Sequence, residues 1–303
     1  MSLRTAMNSL SPPMVASAGI GVLAAMPWMS SGVSLAFLQG ANVAAFCANC
    51  LAVSIPGRID GMQDQEMRPG LLRADDDPVT YESPDYTNVY SPSRGRTMVA
   101  PSGWAFAIWG PIYAGEAIFT VAQFFPQSGL VIYLPSISAP FIAANLFQSL
   151  WCASFRPQYQ GWASYISVAM LGGTAYSLSQ VHAVAFTATG PAYWFLLPLS
   201  IHFGWTTAAT LVNLSGSVAM SPENSDEAVT AMGHSSAVLA TALGVGLTLN
   251  HAAPVYGLTL AWALSACADG MKSRDAPAAK IMQKLCWTGA LACATAAAST
   301  FVL

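Results

Sequence analysis

From Ala100 to Pro126 the chain reads APSGWAFAIWGPIYAGEAIFTVAQFFP, an apolar run with a single ionisable residue, Glu116, far from either end. A run of this length crosses a bilayer as a helix. Pro101 and Gly103 suit an entry turn and a helix start. At helical spacing one stripe carries Phe106, Trp109, Tyr113, Glu116, Thr120 and Gln123. Lipid does not reward such a face, so it is expected to point at other helices or at a cavity.

The rest of the 303-residue chain agrees: 54% of residues are hydrophobic, 8% are charged and the mean hydropathy is +0.48. Soluble domains run near a quarter charged. The composition therefore predicts an all-α, polytopic, multi-pass integral membrane protein whose solvent is the lipid bilayer. A net charge of −3 with no basic field excludes a nucleic-acid partner. The six cysteines (Cys47, Cys50, Cys152, Cys267, Cys286, Cys293) lie in or beside apolar segments and read as buried small hydrophobes, not as a disulfide framework.

Eight spans are predicted, at about 33–55, 102–125, 131–155, 161–187, 191–218, 229–249, 253–270 and 279–302. Residues 1–32 read as a targeting segment or an extra short helix. Residues 57–100 form the one long polar connection and hold thirteen of the twenty-five charges. Basic residues support this count. Loops after the odd-numbered spans, together with Lys280 at the very start of span eight, carry nine Lys and Arg, and loops after spans two, four and six carry none. Both termini then lie on the poorly charged side, unless residues 14–30 form a ninth helix that returns the start of the chain to the basic side.

Three spans offer polar-aromatic faces: the Glu116 stripe; Asn145, Gln148 and Cys152 with Trp151 beside them; and Pro198, His202, Trp205, Ala209 and Asn213. The plain alternative is that the polar side chains only join helices to one another, at roughly 0.6–2 kcal/mol each. Glu116 stands out, because a mid-bilayer carboxylate costs roughly 2.5–3.5 kcal/mol unless it is protonated or paired. His202 is one partner for it. The four histidines show no metal-binding helical spacing, so no metal site is predicted. Nucleotide-binding and hydrolase motifs are absent from the sequence, and no enzyme activity is expected.

PSGWAFAIWGPIY resembles the second-helix signature of the TspO/translocator (tryptophan-rich sensory) family. QSLWCASF resembles its third-helix motif, with Gln148 where that motif has Asn. GWTTAATLVN resembles the fifth-helix motif through Trp205, Ala209 and Asn213. ANCLAVSIPG and YGLTLAWAL resemble a longer branch of the same family. The resemblance implies a five-helix core over residues 33–218, including the polar loop 57–100, with three added helices in 219–303. It also implies binding of a flat apolar ligand, a tetrapyrrole or a sterol, with no cofactor assigned beyond the candidates porphyrin, chlorophyll and carotenoid.

The expected ligand-binding residues are Trp104, Trp109, Tyr113, Glu116, Gln148, Trp151, His202, Trp205 and Asn213. They are expected to line a pocket opening toward the basic side, with loop 57–100 as its lid. A second reading makes the chain a structural or pigment-associated subunit among other membrane-protein subunits, as in a photosystem supercomplex of a plastid thylakoid. A third makes it a proton-linked small-molecule transporter.

Overall fold

The computed structural model describes residues 6–7, 9–54, 96–156, 159–272, 274 and 276–302. Most of the polar connection, and with it most of the expected lid, lies outside these residues. Nine helices form among them: α1 (Pro12–Ala25), α2 (Leu35–Val53), α3 (Trp109–Ala122), α4 (Leu134–Ser154), α5 (Ser164–Ala185), α6 (Pro191–Met220), α7 (Asp226–His251), α8 (Pro254–Gly270) and α9 (Pro277–Ser299). A 3-10 turn, Gly103–Ile108, leads directly into α3. The described residues contain no strand.

Local sequence explains the helix starts. Pro sits in the first turn of α1, α4, α6, α8 and α9, where a missing N–H costs nothing. Ser34 caps α2 by accepting from the Phe37 N–H, and Ser225 caps α7 by accepting from Ala228. Asp226 and Glu227 then complement the positive end of α7.

α2 to α9 match the eight expected spans to within a few residues. Four segments are long and apolar enough to cross a membrane on their own: Leu35–Val53, Gly103–Ala122, Pro191–Met220 and Asp226–His251. α4, α5 and α9 are long enough but carry more Ser, Gly, Gln, Lys and aromatic residues, and α8 has 17 residues. These four pack within the bundle, where small and polar residues favour helix contact over lipid contact. Within residues 14–30 the chain is helical, as most of α1 and a 3-10 turn (Met26–Trp28), and the carbonyl of Leu10, just before α1, accepts a hydrogen bond from Tyr159 Oη in the α4–α5 connection (2.9 Å).

α6 is the hub. It packs on α3, α5, α7 and α8, while α7, α8 and α9 pack on one another. α2 packs on α3 and α4, and α1 packs on α4 and α5. One apolar cluster spans most of the bundle through Phe119, Phe141, Leu199 and Tyr256. A second joins α1, α4 and α5 through Val15, Phe147, Trp151 and Met170. At the α3–α6 crossing a Cβ on Gly115 would lie 2.2 Å from Pro198 Cγ, so only glycine admits the proline ring there.

The basic end is tied together by polar contacts. Arg96 pairs with Asp226 at 2.8 Å and also donates to the Asn224 carbonyl. Asp269 accepts from Ser102 Oγ at 2.7 Å and Trp104 Nε1 at 3.0 Å, and pairs with Lys272. Arg274 donates to the Thr97 carbonyl. Residues 96–105 thus form a strap across the ends of α7 and α8. It passes so close that a Cβ on Gly270 would meet the Ala100 carbonyl oxygen at 1.9 Å. Trp104 and Trp162 are exposed at this end, and Trp28, Trp194, Phe124 and Phe125 at the other. Two such aromatic belts mark the two faces of a bilayer.

Candidate functional site

Glu116 on α3 and His202 on α6 meet in the interior. Glu116 Oε1 lies 2.5 Å from His202 Nδ1, and both side chains are 1% exposed. Trp109, two turns before Glu116, covers the pair. Its ring stands edge-on to His202 (5.7 Å between centroids, 76°) and to Trp205 (6.1 Å, 84°) and stacks on Tyr113 (5.4 Å, 27°). Tyr113 Oη accepts from Gln148 Nε2 of α4 at 2.9 Å. Phe106 closes against Trp205, and Phe46 of α2 against Tyr113.

Six of the nine expected residues therefore share one site: Trp109, Tyr113, Glu116, Gln148, His202 and Trp205. The other three are placed differently. Trp104, on the strap, packs edge-on to Trp262 of α8 and donates to Asp269 near the end of the same helix. Trp151 stacks on Phe155 within the second apolar cluster. Asn213 donates to Ser167 Oγ of α5 at 3.0 Å.

Four buried polar atoms around the rings find no hydrogen-bond partner among the described residues: Glu116 Oε2, His202 Nε2, Gln148 Oε1 and Trp205 Nε1. Native proteins satisfy most such atoms, so four at one place call for a partner from outside the chain. No group of three or more His, Cys, Asp and Glu able to hold a metal ion occurs among the described residues. The chemistry on offer is stacking plus a small donor–acceptor set, the usual make-up of a site for a largely apolar molecule.

Sequence reading missed several features. Asn42 donates to both Gln123 Oε1 (2.9 Å) and Ser138 Oγ (3.0 Å), and Asn49 donates to Asn145 Oδ1 (3.0 Å). Both asparagines lie on one face of α2, which is the signal that could have revealed them. His182 of α5 sits among Phe186, Phe203, Tyr256 and His251. A small apolar cleft of about 20 Å³ lies between α6, α7, α8 and α9, lined by Val99 of the strap, Ala208, Ala240, Cys267 and Cys286 among others.

A family model described as TSPO-like protein matches residues 87–302, from the end of the polar connection through α9. No curated protein and no solved structure matches the chain. The match takes in α3 to α9, and with them the helices that carry the Glu116–His202 pair and its aromatic cover. The chain belongs to the TSPO-like family and is an integral membrane helix bundle of that type.

Proposed function

We propose that this TspO-type protein binds a flat apolar ligand, a tetrapyrrole or a sterol, against the rings of Trp109, Tyr113 and Trp205. The observation that carries this reading is the set of four unpartnered buried atoms on Glu116, Gln148, His202 and Trp205. A flat molecule would stack on the indoles and bring the missing donors and acceptors. The role is binding, not catalysis. Residues 33–218 form the ligand-holding core, and α7–α9 extend it.

Titration of the detergent-solubilised full chain with protoporphyrin, read by Trp fluorescence, tests the proposal. Saturable quenching that weakens about tenfold or more in Trp109→Phe and Trp205→Phe supports it. Absence of saturable quenching in the wild type, or equal affinity in both variants, refutes it. Isolation of the protein only within a large pigment-containing assembly, with no ligand on the free chain, would support the subunit reading instead.

A further inference from the structure

The strap and the apolar cleft beneath it meet at one residue. Val99 is 5% exposed and lines the cleft, close to the basic-side ends of α6, α7, α8 and α9. The other lining side chains are Ala, Val, Leu, Met and Cys, with Ser236 alone polar. Its hydroxyl is matched by Ser215 Oγ at 3.0 Å. Cys267 and Cys286 are buried there as free thiols. Beside Val99, Met98 seats against Gly233, where a Cβ would lie 2.7 Å from the Met98 Cβ. Side chains hold the strap in this place. Asp269, 28% exposed, gathers three ties, from Ser102 Oγ, Trp104 Nε1 and Lys272. Arg274 donates to the Thr97 carbonyl and Arg96 to the Asn224 carbonyl, each at 2.7 Å. Among the described residues one main-chain bond joins the strap to a helix, from the Ser102 N–H to the Ala266 carbonyl at 3.0 Å.

We propose that residues 96–105 are a releasable latch, with Asp269 as its catch and Val99 as the plug of the apolar cleft. Three observations carry it. The ties are side-chain contacts at the surface, where water competes for the same carboxylate and carbonyls, and a segment held in this way opens locally while the body beneath it stays folded. One residue, Asp269, controls three of those ties, so the strap lets go as a unit. The plug is loosely seated, since the cleft keeps about 20 Å³ of room beside Val99. With the latch closed, Cys267 and Cys286 are sealed from the basic side. When Asp269 releases Ser102 and Trp104, the stretch Thr97–Ser102 lifts away from the helix ends and Val99 withdraws. An apolar seat of carbon and sulfur then lies open at the basic-side ends of α6 to α9.

Thiol accessibility in the detergent-solubilised full chain is the test. Modification by N-ethylmaleimide is followed over time by peptide-resolved mass spectrometry at Cys267, Cys286 and Cys293. Cys293 is the internal control: it is buried deeper along α9, where its Sγ meets the Thr241 carbonyl, and it does not line the cleft. All three are expected to react slowly in the wild type. Modification through a brief opening tracks the population of the open form. Asp269→Asn weakens hydrogen bonds to a charged acceptor, so Cys267 and Cys286 are expected to react roughly tenfold faster or more, with Cys293 unchanged. Arg274→Gln, which loosens the hold on the Thr97 carbonyl, is expected to speed the same two by about threefold. Wild-type rates at Cys267 and Cys286 in both variants overturn the proposal. So does equal acceleration of all three cysteines, which marks general unfolding of the bundle. The readout uses no ligand, so failure here does not bear on the aromatic site.

Discussion

Glu116 and His202 face each other across the α3–α6 interface at 2.5 Å, each 1% exposed. A hydrogen-bonded acid–base pair so enclosed is stable only while both members are present. Removing one leaves an uncompensated polar group in a medium that cannot solvate it, at about 3–5 kcal/mol. Replacing both with apolar residues of similar volume is often neutral or stabilising. Thermal unfolding is therefore expected to show Glu116→Leu and His202→Leu as strongly destabilised, and the double variant as more stable than either. Additive losses would mean that the two side chains act independently.

Gly115 gives a second expectation. Its missing side chain makes room for the Pro198 ring, whereas Gly110 has open space around it. Gly115→Ala is expected to cost about 1–3 kcal/mol through overpacking. Gly110→Ala should be neutral or slightly stabilising, since alanine is the better helix former. Comparison of the two melting curves in detergent checks this.

The Asn42–Gln123–Ser138 contacts fasten α2 to α3 and α4. Gln123→Leu removes an acceptor for Asn42 and a donor to the Gln39 carbonyl. A loss of about 1–3 kcal/mol is expected, because partners stay buried and unpaired. Gln127→Leu, on an exposed turn between α3 and α4, should stay within about 0.5 kcal/mol of wild type.

Membrane orientation can be read by labelling. The strap contacts put Arg96, Asp226 and Lys272 at one end. Thr189 donates to Tyr133 Oη at the other. Single cysteines at Lys272 and Glu223 should react with an impermeant maleimide from the same side, and one at Thr189 from the opposite side. Reaction of Lys272→Cys and Thr189→Cys from the same side would contradict the topology.

Hydropathy and charge made the helices legible. A run such as Ala100–Pro126 has one low-energy form in lipid, and the Lys and Arg distribution orients the rest. The Glu116–His202 pairing was legible for the same reason: a lone carboxylate in mid-bilayer must find a partner. Trp104, Trp151 and Asn213 were harder. Helical spacing assigns a residue to a face but does not say which neighbour that face meets. Trp104 lies in the 3-10 turn before α3 and turns to Asp269, while Trp151 packs beside α1, a helix the sequence left ambiguous. Asn42 and Asn49 share one face of α2, but that spacing does not say which helices carry their partners.

Pro198 lies inside α6 and removes the N–H that would have bonded the Trp194 carbonyl. The turn that follows carries Ser200 toward His182 and His202 toward Glu116. The two polar clusters, on opposite flanks of one rod, thus hang from the same weakened turn. Any rotation or tilt of that turn is transmitted to both. A molecule bound beside His202 would thus be linked through Pro198 to the packing around His182, and linkage makes any such coupling reciprocal.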